Sequence, residues 1–213
     1  MAIIRNGILG PVSGKLGSVV FVQTKGGNFV RQAPKKKPKG SPRSPAQTAN
    51  QQKMKFFNEF LTPFYPFFTV GFQNLPPGKT ALSIGYSVNY HRVFTGEYPK
   101  LGVDCSKVVI SEGTLPQLNE PEMKLIADDI LELTWQQNTN PKASFDDQVM
   151  LVVYSPELKI ADGFTGGAKR TSRQCLFRFD RRLVGKQLEV YVGVTSMNRK
   201  KVADSVYLGR IEG

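Results

Sequence analysis

Gln148-Val-Met-Leu-Val-Val-Tyr154 is an uninterrupted, valine-rich apolar run, preceded by Asp146-Asp147 and followed by Ser155-Pro156. A bounded run this short fits a strand better than a helix, and the β-branched residues point the same way. A continuous run of this kind is expected of a central strand in a β-sandwich. Working outward, Ile130-Leu-Glu-Leu-Thr-Trp-Gln136 places Leu131, Leu133 and Trp135 on alternate positions, the period of a half-buried strand. Cys175–Phe179, Gln187–Val194 and Asp204–Ile211 repeat the pattern downstream, and Val108–Ile110 and Met123–Ile126 are candidates upstream. About seven short strands separated by Gly, Asn, Asp and Pro predict an antiparallel β-sandwich, immunoglobulin-like or fibronectin-like, over residues 101–213. Trp135, the lone tryptophan, reads as a core residue facing Val149–Val153.

Residues 46–100 carry a different period. Ser44-Pro45 is a strong helix opening, with a serine cap and proline at the first helical position. Met54, Phe57 and Leu61 lie on one helical stripe of 46–61, and Pro63 and Pro66 then break or kink the helix. Phe64, Tyr65, Phe67, Phe68 and Phe72 form an aromatic cluster too wide for one face of a small helix. Core packing is the simpler reading; an exposed face of Phe64, Tyr65, Phe67 and Phe68 that docks another subunit is the sharper one. A second helix is expected over 81–94, weakened by Gly85 and ended by Thr95-Gly96.

Charge is concentrated ahead of both regions. Through Lys55 the chain has eleven Lys or Arg and no Asp or Glu, so this quarter carries +11 of the net +12. Within it, Ser18–Thr24 and Asn28–Gln32 flank Lys25-Gly-Gly, the pattern of a β-hairpin. Residues 33–45 hold four prolines and five basic residues, which excludes helix and predicts an extended strap. Lys15, Lys25, Arg31, Lys35, Lys36, Lys37, Lys39 and Arg43 are the candidate contacts. They would meet either the phosphates of a polyanion or a neighbouring subunit across which the arm lies; the plainer alternative is a solvated charge run that only aids solubility. The hairpin's apolar residues favour assembly, because simple phosphate binding does not need them.

No catalytic motif is present. His91 is the only histidine, which excludes a multi-histidine metal site. Asp128-Asp129 and Asp146-Asp147 lack the ligand spacing of a calcium loop and read as solvated loop acids. The glycine-rich stretch 163–169 sits between strands and lacks the spacing of a phosphate loop. Cys105 and Cys175 stand alone and are expected to be free thiols. No apolar run is long enough for a transmembrane helix, and the start lacks a charged head followed by an apolar segment, so no secretory signal is expected.

Ile8-Leu-Gly-Pro-Val-Ser-Gly-Lys-Leu-Gly-Ser-Val-Val20, Lys25-Gly-Gly27, Val30-Arg31, Pro34 and Ser44-Pro-Ala-Gln-Thr-Ala-Asn-Gln-Gln-Lys-Met-Lys-Phe56 resemble the head of a family of uncharacterised Bacteroidota proteins, catalogued as a domain of unknown function. Residues 149–156, 188–194 and 205–209 are similar too, so the likeness covers nearly the whole chain. The head is also similar to a shorter segment in proteins encoded among tailed-phage and prophage structural genes, although Asn50-Gln51-Gln52-Lys53 stands where an Arg commonly follows the Gln. The family supplies no activity; the phage likeness implies a virion or other assembly role.

These readings combine into an α+β chain with a basic hairpin and strap (1–45), a helical section (46–100) and a sandwich (101–213). The expected function is a non-enzymatic structural or assembly protein. It would bind neighbouring subunits, as a homo- or hetero-oligomer, through the arm and the sandwich. The alternative is a cytoplasmic protein whose arm contacts nucleic acid without sequence preference. No cofactor, metal, small-molecule substrate or membrane is expected, and the location would be the cytoplasm or a virion.

Overall fold

Glycine spacing near the start of the chain produces a meander. The computed structural model describes residues 2–4, 12–24, 27–35, 42–74 and 79–213, which form an α+β chain. It divides into two units, one of residues 1–48 and 76–79, the other of 49–75 and 80–213. In the first unit β1 (Ala2–Ile4), β2 (Val12–Leu16), β3 (Val19–Thr24) and β4 (Gly27–Gln32) pair antiparallel in chain order. Gly17 turns β2 into β3 with a φ of +58°, a conformation that glycine adopts at no steric cost. The hairpin expected over 18–32 is therefore half of a four-stranded sheet. Its expected tip, Lys25-Gly26, lies outside the described residues, as does the middle of the strap, 36–41. Residues 33–35 and 42–44 of the strap are irregular.

The helical region follows the sequence signals closely. The Ser44 hydroxyl accepts from the Gln47 amide at 3.2 Å, and the Gln47 side chain accepts from the Ser44 amide at 3.2 Å, a reciprocal cap at the start of α1 (Pro45–Leu61). Pro63 and Pro66 interrupt the helix without ending it: a 3-10 turn at Thr62–Phe64 leads into α2 (Tyr65–Gly71). Thr80 caps α3 (Ala81–Val93) by accepting from the Ser83 amide at 3.2 Å. Two short strands, β5 (Phe94–Thr95) and β6 (Gly102–Val103), then pair with each other.

Seven longer strands follow: β7 (Asn119–Ala127), β8 (Ile130–Gln136), β9 (Gln148–Ser155), β10 (Ile160–Lys169), β11 (Gln174–Arg178), β12 (Gln187–Thr195) and β13 (Val206–Glu212). They form two antiparallel sheets, in the orders β11-β8-β7 and β10-β9-β12-β13. Leu131, Leu133 and Trp135 of β8 share one apolar cluster with Val149, Leu151 and Val153 of β9 and Leu188, Val190, Val192 and Val194 of β12. The opposite side of β9 presents Met150, Val152 and Tyr154 to a second cluster, made with Tyr191 of β12 and the helical residues Phe57, Phe60, Leu61, Phe64, Phe67 and Phe68. The β9 run lacks alternation because it is covered on both faces, by the second sheet and by helices.

Two strand expectations are corrected. Val108–Ile110 is not a strand. It is extended chain whose backbone is satisfied by side chains: the Asn89 amide bonds both the N–H and the C=O of Val109, at 2.8 and 2.9 Å, and Ser205 Oγ accepts from Ile110 at 3.0 Å. The glycine-rich stretch 163–169, read as a loop between strands, is the body of β10. Gly163 has a φ of +155°, and a Cβ there would lie 2.1 Å from the Leu151 carbonyl oxygen of the paired strand. The register slips between Thr165 and Ala168, so the glycines serve a close approach and a bulge.

Candidate functional site

Cross-strand register assigns the faces of the N-terminal sheet. Phe21 is paired with Gly14 and Val30, and Val19 with Leu16 and Gln32, which gathers Leu16, Val19, Phe21 and Val30 on one uncharged side. Val20 is paired with Lys15 on one strand and Arg31 on the other, and Val22 with Phe29, so both cations and Phe29 share the opposite side. Across residues 12–24, 27–35 and 42–48 of this unit no side chain is buried. Leu16, Phe29 and Val30 are 64%, 48% and 58% exposed, unusual values for large apolar residues in a sheet. Among the described residues β4 lies at a sheet edge and pairs only with β3. Lys35 and Arg43 are exposed; Lys25, Lys36, Lys37 and Lys39 lie outside the described residues.

The docking role considered for the aromatic cluster is corrected by burial. Phe64, Phe67 and Phe68 belong to the apolar core between the helices and β9–β12, with Phe64 stacked against Phe68 at 6.0 Å and tilted against Tyr154 at 4.7 Å between centroids. Only Tyr65 is half-buried, at the border of a small cleft of about 160 Å³ with Leu82 and Tyr86. Their aromaticity serves packing, so no contiguous docking face is left on this stretch.

The residues weighed for chemistry are dispersed. His91 is exposed on α3 with its ring edge against Tyr90. Asp129 pairs with Arg178 at 3.3 Å in the turn between β7 and β8. Cys105 and Cys175 are free thiols, and burial pushes both up to about 11, away from the thiolate that a nucleophile needs. Among the described residues no three His, Cys, Asp or Glu side chains converge as metal ligands, and no helix is long and apolar enough to cross a membrane. Glu189 is fully buried on β12. Its carboxylate accepts two bonds from Arg210, at 2.9 and 2.7 Å, and one from the Tyr207 hydroxyl. This network fixes β13 against β12.

One end of the second unit collects features that individual sequence signals did not bring together. There the 137–147 connection between β8 and β9 meets the 196–205 connection between β12 and β13. A cleft of about 490 Å³ between them is bordered by Lys142, Asp146, Met197, Lys200 and Lys201. A second, of about 270 Å³, lies across Ser144 and is bordered by Phe145 and Arg173. Phe145 and Met197 are 72% and 64% exposed, the highest values for large apolar side chains of this unit.

A buried charge pair anchors the first connection. Asp147 was read as a solvated loop acid; instead its carboxylate lies 3.1 Å from Arg170 Nε, with both side chains almost fully buried. That N–H is not directed at an acceptor, so the attraction is ionic rather than a linear hydrogen bond. The two terminal nitrogens of Arg170 donate to the carbonyls of Gln117 and Pro116 at 3.0 and 2.7 Å, and the Arg170 carbonyl accepts from Trp135 Nε1 at 2.7 Å. Burial pulls the guanidinium pKa below its ordinary value, and Asp147 pushes it back. Short side-chain turns shape the rest. Asn140 accepts from the Lys142 amide, Asn198 from the Lys200 amide and Ser196 from the Lys201 amide, each at 3.0 Å. The sequence signal for this end was Met197-Asn-Arg-Lys-Lys201, a basic run after a large apolar residue at a strand turn.

The fold and these surfaces define an α+β protein whose helix-backed pair of antiparallel sheets is accompanied by a basic sheet with no buried side chain in β2, β3 or β4. The chain belongs to a family of unknown function (DUF6266), matched over residues 11–209. No curated protein matches the chain at a significant level.

Proposed function

We propose that this is a non-enzymatic structural or assembly protein that binds neighbouring subunits through its basic N-terminal arm and its sandwich, in a virion or a comparable assembly. The observation that carries this reading is the N-terminal sheet: four strands, an uncharged apolar side of Leu16, Val19, Phe21 and Val30, and no buried side chain in β2, β3 or β4. A sheet that buries neither face has little to stabilise it alone. A neighbouring chain laid on the apolar side, or added to the β4 edge, would supply the missing layer. The tailed-phage likeness of the head motif supports the virion setting. For the C-terminal sheets, the division of seven antiparallel strands into β11-β8-β7 and β10-β9-β12-β13 supports an immunoglobulin-like or fibronectin-like sandwich, a class used widely for binding.

Light scattering tests the reading. The full chain is expected as a defined oligomer that becomes monomeric when residues 1–43 are removed, and that is weakened when Leu16 and Val30 are replaced by Lys in the full chain. A monomeric full chain, alone and with the products of neighbouring genes, would reject it.

A second reading, sequence-independent nucleic-acid contact, is favoured by the register that puts Lys15 and Arg31 on one side of the sheet, flanking Val20. It predicts duplex DNA affinity that falls by an order of magnitude or more between about 50 and 200 mM salt. It also predicts loss of that affinity on replacing Lys35, Lys36, Lys37 and Lys39 by Ala.

A further inference from the structure

We propose that the loop end of the second unit, the two clefts flanking residues 137–147, is a docking site for an acidic protein segment that carries an apolar side chain. The inference stands apart from the N-terminal arm and concerns a different surface.

Charge at this end is unbalanced in what it offers to solvent. Lys142, Lys169, Arg173, Arg199, Lys200 and Lys201 are all exposed, and none forms an ion pair among the described residues. The acids nearby are already engaged. Asp147 is buried against Arg170, Asp146 accepts from the Ser144 hydroxyl, Asp204 accepts from the Gly113 amide at 2.9 Å, and Glu120 accepts from Gln136. Unpaired cations around a cleft favour an anionic partner and speed its encounter.

The apolar contacts fix the kind of anion. Phe145 and Met197 stand in solvent beside the clefts, each flanked by cations. A large apolar side chain ringed by charge is the pattern of an interface anchor with a polar rim. A phosphate backbone gains little from the Met197 thioether. Single-strand binding would call for a series of stacking rings, whereas this end offers one exposed ring, Phe145. A second copy of the chain fits poorly, because a molecule with a net charge of +12 has no acidic surplus to present. The local hydrogen bonds around Asn140, Ser144, Ser196 and Asn198 hold both connections in shape before binding, which lowers the ordering cost of association.

The test uses the full chain and a fluorescein-labelled peptide, Glu-Glu-Leu-Glu-Glu-Phe-Glu-Glu-Gly, followed by anisotropy. Replacing the peptide's Glu by Gln is expected to weaken binding about tenfold or more. Lys142→Glu with Lys200→Glu and Lys201→Glu is expected to remove binding, and Phe145→Ser with Met197→Ser to weaken it about threefold to tenfold. Replacing Lys35, Lys36, Lys37 and Lys39 by Ala in the arm leaves binding in place. Amide shifts in the full chain on adding peptide fall within 138–147 and 196–203, a readout independent of any substitution. Three results overturn the proposal: no difference between the Glu and Gln peptides, binding that follows the arm substitutions and not the loop ones, or an oligonucleotide that binds more tightly than the peptide through Lys142, Lys200 and Lys201.

Discussion

Arg170 and Asp147 are the clearest case of a residue whose role depends on where its neighbours fall. The guanidinium is buried and spends its terminal nitrogens on two backbone carbonyls of the segment before β7, while Asp147 supplies the countercharge. Removing either partner leaves a charge stranded in the interior. Arg170→Ala is therefore expected to cost about 3–5 kcal/mol in chemical denaturation, and the paired replacement Asp147→Leu with Arg170→Met distinctly less, because it removes both desolvated charges. The cysteines give a second prediction. A thiol raised by burial favours the protonated form in the folded state, so its stabilising contribution is complete below the unfolded pKa, near 8.5, and declines as pH rises towards about 11. At pH 8 both thiols should react with a disulfide reagent much more slowly in the folded chain than in denaturant; equal rates would contradict the burial. The free thiols were expected from the sequence, but the Arg170–Asp147 pair was not legible in it. Asp147 looked like half of a loop acid pair and Arg170 went unread, since nothing local marks a charge that is neutralised by a partner 23 residues away.

Elements were far more legible, and their few surprises share a cause. The cap at Ser44, the proline breaks at 63 and 66 and the cap at Thr80 act within a single turn, so sequence alone located α1 and α3 to within a residue or two, whereas α2, beyond the proline breaks, was read only as an aromatic cluster. Gly85, which weakened the expectation for α3, has a tertiary purpose. A Cβ there would lie 2.7 Å from the ring of Phe68, which is fully buried and cannot swing away. Gly85→Ala should gain about 1 kcal/mol of helix propensity yet lose more to overpacking, of order 1–3 kcal/mol. A net fall in the thermal midpoint checks this, and a rise would show that α3 and Phe68 can separate at little cost. β10 went unread for a similar reason. Its glycines weaken a strand in isolation, and only the neighbouring β9, approaching within contact distance of Gly163, makes them useful there.

At the scale of the whole chain, fold stability and surface charge are carried by different parts. Both apolar clusters are drawn from residues between 57 and 211, whereas the first 55 residues hold eleven of the 29 basic side chains. Removing residues 1–43 should therefore leave the thermal midpoint within about 4 °C of the full chain by calorimetry, while abolishing self-association or partner binding. A large drop in the midpoint would mean that the N-terminal sheet is part of the fold's stability rather than an arm offered to others. That experiment also separates the two proposed surfaces, since the truncated chain keeps the loop end with Phe145 and Met197.

By itself the sequence determined the α+β class, the boundaries of α1 and α3, the central strands β8, β9 and β12, and the division into a basic head and a near-neutral body. These follow from periodicity, caps and charge, which are local quantities read along the chain. Only the tertiary structure decided which aromatics are core and which apolar residues are left in solvent. It also decided that β9 is covered on both faces, that four strands rather than two make the N-terminal sheet, and that two distant connections meet at one basic, apolar-tipped end. Each of these depends on which segments pack against one another, and burial is a property of the partner as much as of the residue.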